Sequence, residues 1–305
     1  HLQREIISLS SNDRNKLFIS HFNIRSLNKH FDEFRSFINE LEFKHSIIGL
    51  SETWLNDTSP SSLFNMDGYS LITNSRTSKR GGGVGFYVTQ KLNCERLEDF
   101  SEMSETFESI FIEIKAPNKR NIIVGEIYRP PNSNALDFGE HIHNLLSNRY
   151  FDNKTCFIMG DFNLNLLNHH DNLPCQDFLN SMLSKSYIPL TRKPTRISDS
   201  TSTLIDNIFV NGSFSDISSG IIVSDVTDHF PVYALVSNIL QGNSYQSPNT
   251  GIRVMSESNL NKLRESLRSA DWSFVYNKNN LNSCFETFFG HFNGKLQLQY
   301  TFKKI

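Results

Sequence analysis

The sequence lacks several features that would point to particular classes of protein. It has four cysteines in 305 residues, and no two of them form a CxxC pair. This argues against a zinc site or a disulfide framework and favours a reduced, intracellular setting. No apolar run approaches the ~18–20 residues that span a membrane, and the start has no signal-peptide pattern. The chain begins at His1 rather than at Met, so we expect a piece of a longer polypeptide.

A large excess of positive charge is also missing. The formal net charge is −2, and the sequence pI is about 6.6. A protein that coats nucleic acid through a basic surface would be expected to have a pI above ~9. A metal-dependent enzyme remains possible, because the negative charges of its metal-site carboxylates offset the positive charges of a basic rim in the net charge of the chain.

The residues that are present suffice for a folded domain. Hydrophobic residues make up 38% of the chain and charged residues 20%, and the length allows one large domain with a smaller appendage. Phenylalanine is unusually frequent, with 25 copies. We therefore expect a core built from rings rather than from aliphatic side chains.

Hydrophobic patterning predicts alternating strands and helices after a polar lead-in at residues 1–15. Strands are predicted at 16–24, 46–50, 69–73, 83–88, 109–115, 121–128, 155–159, 204–210, 220–223 and 231–236, with a hairpin turn at 116–120. Helices are predicted at 29–42, 134–148 and 176–185. This order indicates a mixed α/β domain rather than a doubly wound parallel sheet.

The chain after residue 237 differs in character from the domain at 16–237. Residues 238–255 are rich in glycine, asparagine, serine and proline, which is typical of a linker. Residues 256–305 contain two predicted helices, at 257–268 and 283–298, and none of the polar groups discussed below.

Polar side chains with catalytic chemistry occur at the ends of the predicted apolar strands. Strand ends are the places where a rigid scaffold presents reactive groups to one shared cleft. Six such placements are difficult to obtain by chance. The residues are Asn23, Glu52, Tyr128, Asp161 with Asn163, Asp206, and Asp228 with His229.

The residue types fit metal-assisted hydrolysis of a phosphodiester. Glu52 offers a carboxylate and Asn23 a neutral carbonyl, which are the hard oxygen ligands that Mg²⁺ or Mn²⁺ prefers. Asp161, with Asn163 two residues later, is expected to hold and deprotonate an attacking water.

The remaining groups are suited to stabilising phosphoryl charge. His229 and Tyr128 can donate hydrogen bonds to phosphate oxygens. Asp206 can orient His229 and keep it protonated, because a carboxylate partner raises the pKa of a histidine.

Taken singly, most of these residues have ordinary structural explanations, as a helix cap, a turn residue, a half-buried ring or a solvated charge. Asn23, for example, could cap the helix that follows, although Asn28 is better placed. Asp206 is harder to dismiss, because an unpaired carboxylate in an apolar run costs several kcal/mol. The structural explanations together require six coincidences, so we favour function.

Two further features remain open. The glycines at 81–83 have no strand before them and no helix after them, so we interpret them as a flexible entry to a strand rather than a phosphate cradle. Several basic residues are exposed charges by default, but they would hold a nucleic-acid backbone if they lined one rim. They are Lys79, Arg80, Arg129, Arg192, Lys193 and Arg196.

Seven short motifs, in order, resemble the endonuclease/exonuclease/phosphatase superfamily, and in particular the apurinic-type endonuclease domain of non-LTR retrotransposons. They span roughly residues 16–237, and their order and spacing are more specific than any single motif. The motifs are FNIRSL (22–27), SETWL (51–55), GGGVG (81–85), IYRPP (127–131), GDFN (160–163), LIDNIF (204–209) and SDVTDHFP (224–231).

The resemblance implies a DNase I-like four-layer αββα sandwich, with two mixed sheets flanked by helices. It places Asn23, Glu52 and Asp228 at the metal and Tyr128 and His229 at the scissile phosphate. Asp161 would activate water with help from Asn163, and Asp206 would pair with His229. Substrate contacts are expected from Arg25, Arg129, Arg196 and Thr227.

The resemblance also implies a role. Such a domain nicks double-stranded DNA with Mg²⁺ or Mn²⁺ to expose a 3′-OH primer, and in full-length elements it precedes a reverse transcriptase in the same chain. Residues 256–305 resemble the connector toward that polymerase. We expect a monomer without membrane contact, acting in the nucleus because its substrate is chromosomal.

Two departures from the repair-type pattern bear on specificity. Arg25 occupies a position where repair enzymes carry an acid, which weakens the case for abasic-site repair. Thr227 replaces a common serine but retains the hydroxyl.

Two alternatives to a DNA-nicking enzyme remain: a phosphatase or lipid phosphodiesterase of the same superfamily, and a decayed copy that only binds nucleic acid.

Overall fold

The structure is a computed structural model in which the chain divides into two compact units between Gly242 and Asn243. The predicted lead-in and all but two residues of the predicted linker lie outside the described residues. The structure describes residues 16–41, 43–56, 58–77, 80–116, 120–211, 217–237, 252–253, 257–276, 280–299 and 302–303.

The described residues of the first unit form fourteen strands and three helices of twelve or more residues. The strands are β1 (Leu17–Asn23), β2 (Ile47–Ser51), β3 (Tyr69–Asn74), β4 (Val84–Thr89), β5 (Cys94–Arg96), β6 (Glu108–Ile114), β7 (Ile122–Tyr128), β8 (Thr155–Asp161), β9 (Tyr187–Pro189), β10 (Arg196–Ile197), β11 (Ser202–Thr203), β12 (Asp206–Asn211), β13 (Ile217–Ile221) and β14 (Val232–Val236). The helices are α1 (Leu27–Glu40), α2 (Ala135–Leu146) and α3 (Leu173–Ser184).

These strands form two six-stranded mixed sheets. The first has the order β13-β14-β1-β2-β4-β3, and the second has the order β5-β6-β7-β8-β12-β9. Each sheet contains one parallel pair, β1 with β2 in the first and β7 with β8 in the second, and its other pairs are antiparallel. Strands β10 and β11 form a separate small ribbon.

The core between the two sheets consists mainly of aliphatic side chains. Ile19 and Val84 of the first sheet and Val124 and Ile208 of the second lie in this cluster, which includes few rings. The expectation of a ring-built core is therefore wrong for the centre of the protein. Branched aliphatic side chains fit the regular pleat of two facing sheets better than rings do.

The phenylalanines are concentrated in the two outer layers, where helices cover the sheets. Helix α1 buries Phe31 and Phe34 against the first sheet. On the second sheet, Phe138 of α2 and Phe178 of α3 stack with their ring centroids 5.4 Å apart. Helix, sheet, sheet and helix together confirm the predicted four-layer sandwich.

The second unit is mainly helical, as its sequence predicts. Its helices are α4 (Glu257–Arg268), α5 (Ser273–Tyr276) and α6 (Leu281–Gln299), and β15 (Ile252–Arg253) pairs with β16 (Phe302–Lys303). The Trp272 ring lies 5.4 Å from that of Phe288, so aromatic contacts join the chain before α5 to α6. Among the described residues, none of the helices is both long and apolar enough to cross a membrane.

The predicted elements of the first unit are observed, with ends that shift by a few residues. The short strands β5, β9, β10 and β11 were not predicted, because two or three residues are too few to display an alternating pattern. Asn28 is not the helix cap, since α1 already begins at Leu27. Residues 117–119 of the predicted hairpin turn lie outside the described residues, but β6 and β7 on either side pair antiparallel.

The packing around β8 can be tested at Gly160, with Gly139 of helix α2 as the matched control. A Cβ at Gly160 would lie 1.7 Å from the carbonyl oxygen of Ile127 in the neighbouring strand, whereas a Cβ at Gly139 in α2 would meet nothing closer than 4.0 Å. We expect Gly160→Ala to lower the free energy of unfolding by at least about 3 kcal/mol, because β7 would have to move. Gly139→Ala should raise it by about 0.5–1 kcal/mol, because alanine favours helix. Urea titrations of both variants check this, and a Gly160→Ala protein as stable as wild type would contradict the described register.

Candidate active site

The strand register brings the predicted residues to one edge of the sandwich. In the first sheet Asn23 pairs with Ser51, which places the end of β1 beside Glu52. In the second sheet Asp161 pairs with Tyr128 on one side and with Asp206 on the other. Hydrogen bonds described below join the two sets, so groups from both sheets form one cluster.

The amide of Asn23 bridges two carboxylates across the sheets. Its Nδ2 donates to Glu52 Oε1 at 2.9 Å and to Asp161 Oδ2 at 2.8 Å. Asn23 and Asp161 are buried, whereas Glu52 is partly exposed. The two acids therefore lie close enough to share a single positively charged partner.

Asp161 has the environment of a proton acceptor. Burial and the charge of Asp206 raise the pKa of its carboxyl, against the opposing effect of His229. The backbone N–H of Asn163 donates to Asp161 Oδ1 at 2.9 Å and orients the group. A raised pKa brings a carboxylate closer to the range in which it can take a proton from water.

His229 and Asp206 form a buried ion pair. Nδ1 of His229 lies 3.1 and 3.0 Å from the two carboxylate oxygens of Asp206. Burial lowers the pKa of His229, but the charge and hydrogen bonds of Asp206 outweigh it and raise the pKa to about 9. Burial likewise opposes ionisation of Asp206, yet His229 and His21 lower its pKa below the ordinary value. His229 is therefore a protonated donor near neutral pH.

A second buried pair lies behind the first. His21 Nδ1 is 2.7 Å from Glu126 Oε1, and His21 Nε2 is 3.3 Å from Asp206 Oδ1. Burial lowers the pKa of His21, but Glu126 and Asp206 raise it to about 10. Burial raises the pKa of Glu126 to about 7, against the stabilising charge of His21.

Asp228 lies at the exposed margin, bound by two arginines. Arg25 Nη1 donates to its Oδ1 at 2.8 Å, and Arg196 Nε and Nη2 contact its Oδ2 at 2.9 and 2.7 Å. Burial raises the pKa of Asp228, but these hydrogen bonds lower it below the ordinary value. The structure thus gives Asp228 arginine partners on both oxygens, which differs from the metal-side position expected from the sequence.

Arg129 and Thr227, both expected to contact substrate, bind the protein's own backbone. Arg129 is buried and donates to the carbonyls of Phe162 and Asn163, each at 2.7 Å. The Thr227 hydroxyl donates to the carbonyl of Asn23 at 2.9 Å. Buried donors need partners, and here the turns beside Asp161 and Asn23 supply them. These side chains hold the loops next to Asp161 and Asn23.

The loop that carries Glu52 is held in an uncommon conformation. Glu52 and Trp54 both have positive φ, and the backbone N–H groups of Thr53 and Trp54 donate to the carbonyls of Gly83 and Gly82. Trp54 Nε1 also donates to Glu52 Oε2 at 3.1 Å. Positive φ in residues with side chains costs energy and persists where the surroundings enforce it.

The glycine segment is therefore a support rather than the flexible entry that the sequence indicates. The N–H of Gly83 donates to the buried carboxylate of Glu108, which also accepts from Arg76. Arg80 lies over the Trp54 ring, 5.4 Å from its centroid. Lys79 lies outside the described residues.

Tyr128 lies beside Asp161 in the second sheet. The side chain is buried at the end of β7, and burial together with the charges of Glu52 and Asp161 raises its pKa. The hydroxyl therefore remains protonated and can donate a hydrogen bond.

The donor set suits a hard divalent cation. Asp161, Asp206 and His229 each offer one ligand atom within 4.8 Å of the others. Asp206 is a poor ligand, however, because both of its oxygens already accept hydrogen bonds from His21, His229 and Thr195. The Glu52 carboxylate fits Mg²⁺ or Mn²⁺ better, with Asp161 beside it. The Asn23 Nδ2 between the two acids lies where positive charge is needed. Asn23 would bind a cation through its Oδ1, which accepts from the backbone N–H of Arg25 at 3.2 Å.

Comparison with known proteins assigns the chain to a family. The sequence profile of the Endonuclease/Exonuclease/phosphatase family matches residues 20–229. The protein belongs to this family, whose members are typically phosphodiester hydrolases. A search of curated proteins found no match.

Solved structures share the fold at low sequence identity. An AP endonuclease from Leishmania major has a TM-score of 0.59 and 15% identity, covering 73% of this chain and 88% of its own. The endonuclease domain of TRAS1, a telomere-specific non-LTR retrotransposon, has a TM-score of 0.57 and 13% identity, covering 73% of this chain and 99% of its own. A 3′ phosphatase from Neisseria bound to a product DNA hairpin has a TM-score of 0.52 and 12% identity, covering 72% of this chain and 98% of its own. At these identities the likeness establishes the DNase I-like fold.

Several residues at the site were not predicted from the sequence. They are His21, Trp54, Glu108, Glu126 and Thr195. His21 and Glu126 each interrupt an otherwise apolar strand, and that signal was available, because a buried ionisable group requires a partner. Thr195 contacts Asp206 from a loop that has no comparable signal.

The buried carboxylate of Asp161 should lower the stability of the metal-free protein. A carboxyl whose pKa rises on folding costs stability at pH values above its unfolded pKa, and the cost is complete above the folded pKa. In EDTA at pH 8 we therefore expect Asp161→Asn to raise Tm by about 2–4 °C, equivalent to about 1 kcal/mol. The gain should shrink as the pH is lowered toward 5.

The matched control for this experiment is Asp137→Asn, which removes an exposed acid from the first turn of α2 and should not raise Tm. Differential scanning calorimetry gives both values. An Asp161→Asn protein with a lower Tm at pH 8 would contradict the inference that the buried Asp161 carboxylate destabilises the metal-free protein.

Proposed function

We propose that this protein is a metal-dependent phosphodiester hydrolase that nicks double-stranded DNA. The observation that carries the proposal is the meeting of two kinds of group in one cleft. An Asn23–Glu52–Asp161 cluster suits a hard cation, and the buried His229–Asp206 pair supplies a protonated donor. Hydrolysis of a phosphodiester needs both positive charge on the phosphoryl oxygens and a base for water.

Each group has a role in this proposal. Glu52 and Asn23 would hold Mg²⁺ or Mn²⁺, which supplies charge neutralisation at the phosphate when bound. Asp161, oriented by Asn163, takes a proton from the attacking water as its oxygen bonds to phosphorus. The bond from phosphorus to O3′ breaks, O3′ takes up a proton from solvent water, and the phosphate stays on the 5′ end.

Two donors would stabilise the charge that develops on the phosphate. His229 is protonated and Tyr128 retains its phenolic proton, so each can donate to a phosphoryl oxygen. Asp206 keeps His229 charged and fixes its ring. Both donors act from rigid strand or loop positions, which limits reorganisation during the reaction.

DNA is the substrate that the cleft margin and the relatives favour. Arg25 and Arg196 are part-exposed beside the cleft, with side chains 48% and 43% exposed. Arginines at such a margin bind phosphate oxygens of a nucleic-acid backbone. The relatives include an AP endonuclease and an enzyme solved with a DNA hairpin. With Arg25 in place of an acid, we infer nicking of intact DNA rather than abasic-site repair.

We further propose that the domain, at residues 16–237, belongs to a non-LTR retrotransposon. The TRAS1 endonuclease domain supports this, together with the FNIRSL and SDVTDHFP motifs. In that setting residues 1–15 are a lead-in, 238–255 a linker and 256–305 a connector toward a reverse transcriptase in the same chain. The nick would supply its 3′-OH primer, the protein would act in the nucleus, and the isolated domain would be a monomer without membrane contact.

Nicking of supercoiled plasmid tests the activity. We expect conversion to open circles with Mg²⁺ or Mn²⁺ and none with EDTA. Asp161→Asn and His229→Ala should each lower the rate by about 10²–10⁴-fold, because each removes a proton-transfer or charge-stabilising group. DNA ligase should reseal the nicks without a kinase, as 3′-OH and 5′-phosphate ends require.

The matched controls are Asp137→Asn and His141→Ala, which alter exposed side chains of α2 and should leave the rate unchanged. Equal rates in wild type and both site variants would refute the assignment. Turnover of phosphate monoesters or sphingomyelin but not plasmid would favour the phosphatase or lipid phosphodiesterase alternative. DNA binding without turnover would favour a decayed copy.

A further inference from the structure

We propose that His21 and Glu126 are positioning residues that fix Asp206, and through it His229, for phosphodiester hydrolysis. The inference deepens the proposed function and rests on it for its kinetic test. Neither residue touches the cleft directly, because both are completely buried between the two sheets.

His21 is held between two carboxylates. Its Nδ1 lies 2.7 Å from Glu126 Oε1, and its Nε2 lies 3.3 Å from Asp206 Oδ1. Each ring nitrogen of His21 therefore lies within hydrogen-bonding distance of a different carboxylate. His21 thereby joins β1 of the first sheet to β7 and β12 of the second.

This contact restricts the orientation of Asp206. Its Oδ1 lies within reach of His21 Nε2 and His229 Nδ1, while its Oδ2 accepts from Thr195 Oγ1 at 2.7 Å. With one oxygen held on each side, the carboxylate cannot rotate freely. The plane of the Asp206 carboxylate then fixes the orientation of the His229 ring. Residues that hydrogen-bond a metal-bound or catalytic histidine orient its ring in the same way.

The residues packed around Glu126 leave room for its buried carboxylate, although burying this group costs free energy. A Cβ at Gly49 in β2 would lie 2.1 Å from Glu126 Oε2, so only glycine leaves room for the carboxylate. That oxygen has no hydrogen-bond partner within the described part of the chain. Apolar side chains of similar volume would stabilise such a site at least as well as a buried ion pair. The pair is therefore better explained by its effect on Asp206 than by stability.

The kinetic test compares two buried histidines. His21→Gln should lower kcat for nicking by about 10–100-fold with KM unchanged, the size typical of losing a residue that orients a catalytic group. Glu126→Gln should act in the same direction and serves as the second variant if His21→Gln does not fold. His45→Gln is the matched control, because His45 is equally buried but contacts Ser20 and aromatic rings rather than a carboxylate. Rates are normalised to the folded fraction.

A double variant separates positioning from general damage. If His21 acts only through Asp206 and His229, then His21→Gln should change the residual rate of His229→Ala by less than about threefold. The proposal would be overturned if folded His21→Gln had the kcat of wild type. It would also be overturned if His21→Gln lowered the rate of His229→Ala by the same factor as it lowers the rate of wild type.

A spectroscopic measurement keeps the test independent of turnover. In protein labelled with ¹⁵N-histidine, the His229 ring resonances are assigned by their loss in His229→Ala. They should shift in His21→Gln or Glu126→Gln but not in His45→Gln. An unmoved signal overturns the positioning role, even if the wild type proves unable to nick DNA and the proposed function fails.

Discussion

The ionisable side chains buried between the two sheets have to be paired, and the rest of the site depends on that pairing. Removing one partner of a buried ion pair costs about 3–5 kcal/mol. His21 and Glu126 meet across the sheets, and Asp206 joins them to His229. The same contacts fix the relative position of β1 and β12, and they bring Asn23 to within hydrogen-bonding distance of Asp161. The contacts that pair the buried charges are thus the same contacts that set the geometry of the site.

Much of this arrangement could be predicted from the sequence. Apolar strands followed by polar residues indicated where groups such as Glu52 and Asp161 would be presented, and parallel pairing within each sheet brings such ends together. The four layers followed from alternating strands and helices combined with the motif resemblance. The buried carboxylate of Asp206 was expected to need a partner, and the structure gives it two histidines.

What the sequence could not indicate depends on loop conformation and on pairing across the sheets. Asp228 was expected at the metal, but its two oxygens face arginines from different parts of the chain. Arg129 was expected at the substrate, but the turn around Asn163 offers its carbonyl instead. The support of the Glu52 loop by Gly83 depends on positive φ angles that no local pattern encodes. Such contacts join residues distant in sequence, and one sequence alone does not reveal them.

Side chains from both sheets are proposed to surround one divalent ion at the edge of the sandwich. Anomalous diffraction from crystals soaked in Mn²⁺ is the test. A strong peak is expected at about 2.0–2.3 Å from a carboxylate oxygen of Glu52, with an oxygen atom of Asn23 in the same coordination sphere. Peaks confined to exposed acids such as Glu98, with none beside Glu52, would contradict it.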